Sequence, residues 1–79
     1  MSEPKEFIEY IIKALVDHPE EVKVTEVEGK QTTLYELRVN KSDMGKVIGK
    51  KGQHAYAIRH LVSAVSAKAK KRAVLEILE

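Results

Sequence analysis

The sequence predicts an α+β domain of order α-β-β-α-α-β, with a three-stranded mixed sheet and three helices on one face of it. Three observations carry this prediction. Apolar residues recur at helical spacing over Phe7–Val16, Met44–Ile48 and Gln53–Ala67. They alternate at strand spacing over Val22–Val27 and Tyr35–Val39. A last apolar run, Ala73–Leu78, follows the third helix with the composition of a strand, a short helical tail being the alternative, and a strand reached through a two-helix crossover pairs in parallel, with right-handed connectivity. At 79 residues the chain is one domain with a small core.

Each element has local signals. In the first helix Phe7, Ile8, Ile11, Ile12, Leu15 and Val16 form one stripe. Ser2 is placed to cap it, Pro4 suits its first turn, and Asp17-His18-Pro19 stops it. In the first strand Val22 and Val24 alternate with charged residues, but Val27 falls off the period, which a bulge at Thr25 or Glu26 would explain. Glu28-Gly29-Lys30-Gln31 is a turn. Tyr35, Leu37 and Val39 then share a buried face, and the two strands form an antiparallel hairpin. Ser42 or Asp43 caps the short helix Met44–Ile48, where Gly45 permits close helix packing. The third helix turns Ala55, Ile58, Leu61, Val62 and Val65 inward. Lys68-Ala69-Lys70-Lys71-Arg72 forms a basic exit before the last strand.

Composition excludes several function classes. There is no cysteine, hence neither a disulfide framework nor a thiolate nucleophile. No apolar run approaches the ~20 residues that span a bilayer, and Met1-Ser2-Glu3-Pro4 is no signal peptide, so a cytoplasmic protein is expected. His54 and His60 fall on different sides of a helix, and with no cysteine to assist them no metal site is expected. No Ser/His/Asp order, paired acids or P-loop spacing occurs, so catalysis and cofactors are not expected.

The net charge is only +2, but it is polarised. Residues 1–39 hold five Lys/Arg and nine Asp/Glu, whereas residues 40–79 hold nine and three. Between Lys41 and Arg72 the only acid is Asp43. Three of the four glycines, Gly45, Gly49 and Gly52, lie in this basic half. Gly49 and Gly52 bracket Lys50 and Lys51, directly before a helix start. Glycine admits a close backbone, the lysines supply charge, and a helix start supplies unpaired N–H groups. Together these describe a site for a sugar-phosphate backbone, with the amides near Gly52 and Gln53 facing the phosphate.

Val47-Ile48-Gly49-Lys50-Lys51-Gly52, set between two helices and after a strand, resembles the G-x-x-G loop of the K-homology (KH) domain. The element order resembles the type II form, and the resemblance runs the length of the chain, including Ile58-Arg59 on the following helix. A single KH domain of this size is similar to the KhpA family of small bacterial RNA-binding proteins. The resemblance implies non-catalytic binding of short single-stranded RNA, in post-transcriptional regulation or as an RNA chaperone. It leaves single-stranded DNA open as a ligand. It implies a clamp of Gly49, Lys50, Lys51 and Gly52, with Ile48 on the apolar floor of a groove. Lys46, Gln53 and Arg59 lie close enough to take part. It also implies that Lys70, Lys71 and Arg72 flank the groove opposite the clamp. The alternative it carries is a scaffold: a homodimer, or a heterodimer with a larger KH-containing protein, in which RNA binding is secondary. Tyr56 lies off the inner face and is placed to stack on a base or to pack on another subunit; few aromatics accompany it, so stacking is not the main source of affinity.

Overall fold

The computed structural model describes residues 3–68 and 70–78. Helix α1 spans Glu3–Leu15, strand β1 Lys23–Glu28, strand β2 Thr32–Arg38, helix α2 Met44–Ile48, helix α3 Gln53–Ala67 and strand β3 Arg72–Leu78. Single 3-10 turns at Pro19–Glu21, Lys41–Asp43 and Lys50–Gly52 link them. The order is the expected α-β-β-α-α-β. The sheet runs β1-β2-β3, with β1 antiparallel and β3 parallel to β2. Ser2, expected to cap α1, lies outside the described residues.

The register explains Val27 without a bulge. Pairing runs unbroken from Lys23 opposite Arg38 to Glu28 opposite Thr33. Val24, opposite Leu37, faces the helices, so by the two-residue period Val27 must face the other way. There it sits beside Leu34, which neighbours Val74 on β3. The residue that looked out of step is an apolar residue on the uncovered face, half exposed.

The core lies between the covered face and the helices. Ile8, Ile12 and Val16 from α1 and the residue after it meet Val24, Tyr35, Leu37 and Leu75 from the sheet, Val47 from α2, and Ile58 and Val62 from α3. Each fully buried Ile, Leu or Val contributes about 1.5–3 kcal/mol relative to exposure. Two expected core contacts differ. Leu61 is 45% exposed, because Ile58 and Val62 already centre the buried stripe of α3 and Ser66 continues it. Gly45 is exposed and a Cβ there would meet nothing within 4 Å, so it mediates no close packing.

Asp43 does not cap α2; its side chain makes no cap bond there, and Asn40 caps the preceding turn instead, through Ser42 N–H at 2.8 Å. Asp43 is fully buried and reaches across to the chain leaving α1. It accepts the amide N–H of Asp17 at 3.1 Å and of His18 at 3.0 Å, and the His18 ring nitrogen Nδ1 lies 3.1 Å away. Burial pushes the Asp43 carboxyl up, but these amides and the His18 ring outweigh it and hold the group below its ordinary value. The hydrogen bond to Asp43, opposed by desolvation and assisted by the charges of Asp43, Glu20 and Glu21, raises His18 above its ordinary 6.5.

The signs of these two shifts set a pH window. A raised histidine stabilises fully below about 6.5 and loses its contribution as pH climbs through the higher folded value. A depressed carboxylate stabilises above its unfolded value and loses its contribution as pH falls through the lower folded one. The pair is therefore strongest at mildly acidic pH. The thermal midpoint is expected to decline by a few degrees from about pH 6 to pH 8, and His18→Gln to flatten that decline. An equal slope in both proteins, measured by circular dichroism melts, would show that the pair does not govern it.

Candidate nucleic-acid interface

The glycine-lysine loop joins α2 to α3 through three residues with positive φ. Gly49 lies at φ 77, ψ 171, Lys51 at φ 56 and Gly52 at φ 74. The Gly49 conformation is open essentially to glycine alone. Its amide closes α2 by donating to the Gly45 carbonyl at 2.8 Å. The Gly52 amide donates to the Gly49 carbonyl at 3.1 Å, and the Gln53 amide to the Lys50 carbonyl. The two amides expected to face a phosphate are thus occupied within the loop. The unengaged donors lie one step earlier: among the described residues, the amides of Lys50 and Lys51 have no acceptor. Both residues are exposed, so two N–H groups and two ammonium groups share the loop tip.

His54 fixes this loop, a role its sequence position did not suggest. Its ring nitrogen Nδ1 lies 2.7 Å from the Lys46 carbonyl, one of the terminal carbonyls that a helix leaves without an internal partner. The neutral ring must therefore carry its proton on Nδ1. The ring also packs against Gly49 so closely that a Cβ there would stand 2.6 Å from His54 Cγ and 2.8 Å from its backbone nitrogen. Gly49 is needed both for its dihedral angles and for this approach.

Beside the loop lies a cleft of about 340 Å³ lined by Met44, Ile48, Gly52, Ala55, Tyr56, Arg59 and Ile77. It is bounded by the outer edge of β3 on one side and by α2 and the first turns of α3 on the other. Ile48 lies on its wall, 40% exposed. Arg59, read from sequence as a candidate on an outward face, crosses to the sheet edge: its Nε donates to the Leu75 carbonyl at 3.2 Å. Tyr56 lines the cleft and stacks on His60 with ring centroids 6.2 Å apart. Met44, Ala55 and Ile77 were not named as site residues from sequence, Ala55 being read only as part of the inner face of the third helix. Met44 and Ala55 carry only ordinary helix-forming signals, and Ile77 is adjacent only once the parallel pairing of β3 is known.

The structure brings Ile48, Gly49, Lys50, Lys51, Gly52, Gln53 and Arg59 together, engages Lys46 elsewhere and sets Lys70, Lys71 and Arg72 apart. Lys46 is exposed near the loop but donates to Asp17 Oδ2 at 2.6 Å, a hydrogen bond that, with the attraction of that carboxylate, raises its pKa. Lys70, Lys71 and Arg72 do not stand opposite the clamp. They follow the C-terminus of α3, whose 15 residues begin at the clamp, so about 20 Å of helix separates the two. Lys71 is held at 2.8 Å by Glu28 on β1, lowering the Glu28 carboxyl through that hydrogen bond and its charge. Arg72 opens β3 on the face away from the helices, beside Thr32.

No helix among the described residues is long and apolar enough to cross a membrane, and no cluster of possible metal ligands occurs among them. Comparison with known proteins adds three findings. The family model described as "KhpA/KhpB, KH domain" matches residues 5–77. The chain is 53% identical over 75 residues to the RNA-binding protein KhpA of Chlamydia pneumoniae, covering 95% of this chain and 96% of that one. It is 49% identical over 79 residues to the RNA-binding protein KhpA of Aquifex aeolicus, covering both chains completely. Among solved structures, Aquifex aeolicus Era superposes with a TM-score of 0.68 at 20% identity, over 94% of this chain but only 29% of Era, a likeness of fold. With its element order, sheet topology and relatives of near-equal length, the chain belongs to the KhpA/KhpB KH-domain family.

Proposed function

We propose that this member of a non-enzymatic family binds short single-stranded RNA, gripping one phosphate at the Lys50–Lys51 tip and laying bases into the cleft beside it. The observation that carries this reading is the pair of unengaged amides at Lys50 and Lys51, framed by two glycines of which Gly52 lines an apolar cleft. Amides and ammonium groups at one point suit a phosphate; an apolar floor with a single guanidinium suits a base. The names of the relatives, RNA-binding proteins, support it. Ile48 and Ile77 supply the floor, and Arg59, with its Nε held by Leu75, keeps its terminal amino groups for base edges or phosphate. Post-transcriptional regulation or RNA chaperoning is the role that such binding serves. One groove holds about four nucleotides, so pairing with a second copy or a larger KH protein raises avidity through effective concentration.

The test is the double substitution Lys50→Asp with Lys51→Asp. Affinity for a short single-stranded RNA is expected to fall at least about tenfold. The slope of log K against log salt should flatten by roughly 1.4, as two phosphate contacts are lost at about 0.7 each. The thermal midpoint should move little, since both side chains are exposed. A double variant that binds like the parent places the site elsewhere, and a deoxy strand of equal affinity shows that the sugar is not read.

A further inference from the structure

A second cavity, of about 120 Å³, lies at the end of the domain away from the glycine-lysine loop. Glu26 and Glu28 of β1 and Thr33 of β2 reach it from the covered face of the sheet, Ser66 from the last turn of α3, Lys71 from the segment after that helix, and Pro4 from the start of α1. Its polar groups are unevenly engaged. Lys71 Nζ is held by Glu28 Oε2 at 2.8 Å. Glu26 is partly buried, yet among the described residues its carboxylate has neither an ion pair nor a hydrogen-bond donor. Ser66 is the stronger sign: the residue is 4% exposed and its Oγ has no hydrogen-bond partner. A buried hydroxyl and a partly buried carboxylate left without partners carry a cost that a donor from outside removes. Thr33, equally buried, adds a second hydroxyl.

We propose that this cavity takes the guanidinium group of an arginine side chain from a different protein. Two carboxylates and one ammonium leave the lining with a net negative charge, which suits a cation. The last turn of α3 presents its carbonyl end there, which favours a cation too. Pro4 has no N–H to offer an anion, and Glu3 and Glu6 set acids in the same first turn. The acceptors stand on three elements, Glu26 on β1, Thr33 on β2 and Ser66 on α3. The five donors of a guanidinium fan out to match such a spread, and its weak hydration is readily shed in a partly buried site. An ammonium is instead a compact, strongly hydrated point charge. The space is well under the ~300 Å³ at which pockets for whole small molecules begin. It therefore holds the head group while the rest of the arginine stays outside, as it does on a chain. About 20 Å of helix separates the cavity from the glycine-lysine loop, so filling it leaves the cleft at the other end of α3 open.

The experiment is an amide NMR titration of the full chain, without RNA, so its outcome is independent of the RNA reading. The probe is N-acetyl-arginine amide, a blocked residue that stands for arginine within a chain. Saturable shifts are expected at the amides of Glu26, Thr33, Ser66 and Lys71, with none at Gly49 and Gly52. A dissociation constant of about 1–10 mM is expected, since one head group supplies the whole affinity. The uncharged isostere N-acetyl-citrulline amide and the ammonium probe N-acetyl-lysine amide should each bind at least about fivefold more weakly. Glu26→Gln should weaken binding at least about tenfold. Ser66→Ala should weaken it about two- to threefold while raising the thermal midpoint, because it removes an unpartnered buried hydroxyl and alanine is the better helix former. Its weaker binding then cannot come from a loss of fold. Shifts that never saturate, leaving solvent as the only occupant, overturn the proposal. So does citrulline or lysine binding as well as arginine, or a Glu26→Gln variant that binds like the parent. Free L-arginine binding more tightly than the blocked residue makes the occupant a free amino acid and overturns the protein partner.

Discussion

Replacing Gly49 with alanine is expected to remove most RNA affinity, whereas the same change at Gly52 is expected to be mild. At φ 77, ψ 171, Gly49 occupies a region that costs about 1–3 kcal/mol for any residue with a Cβ. The added atom would also stand 2.8 Å from the backbone nitrogen of His54, which cannot swing aside without unwinding the first turn of α3. The loop must change path, and the Lys50 and Lys51 amides are carried away from their present positions. A drop of tenfold or more, roughly 1.4 kcal/mol, is the expected result by titration calorimetry. Gly52, at φ 74, ψ 14, lies in the ordinary left-handed region, and a methyl added there would meet nothing within 4 Å. Alanine at Gly52 therefore costs about 1–2 kcal/mol in stability and leaves the path intact. Equal losses at the two glycines would mean that flexibility, not the fixed Gly49 geometry, makes the clamp.

The largest loss of stability is expected from Asp43→Ala. The buried carboxylate is the acceptor for two backbone amides and the His18 ring, joining the end of α1 to the turn that launches α2. Removing it strands buried donors and frees the clamp's leading helix from its anchor. A fall in thermal midpoint of roughly 10 °C or more is expected for a domain of this size. Asp43→Asn, which keeps one acceptor oxygen, should fall about half as far. If Asp43→Ala melts within about 2 °C of the parent, the anchor is not structural.

Periodicity showed the element order because each helix and strand has one apolar face, and these faces had only one sheet to cover. The glycine-lysine loop was legible because Gly49 and Gly52 frame two lysines at a helix start. What escaped were relations between distant segments. Asp43 read as a helix cap because aspartate before a helix usually is one; its true partners are 26 and 25 residues away. Lys70–Arg72 were placed opposite the clamp through the resemblance, but the length of α3 puts them at the other end. The helix also ends without a glycine: Lys70 itself takes the left-handed conformation, at φ 58, and its amide closes on Ala67. Val27 seemed to need a bulge because an apolar residue on an outer face breaks the two-residue rhythm as surely as an inserted one.

The bond from Arg59 to the Leu75 carbonyl has a meaning beyond the cleft. β3 is the last strand of an open sheet, and such a border is a template on which a stray extended chain can add itself and start aggregation. Here the border is also where the nucleic acid is proposed to lie, so neither a helix nor a loop can seal it permanently. A long cationic side chain reaching across from α3 occupies one outward carbonyl and sets a positive charge beside the others. It obstructs another strand while leaving the cleft open to an anionic polymer. If the cleft takes RNA as proposed, the same arginine serves both solubility and selectivity, at a border open to an anionic strand and closed to polypeptide.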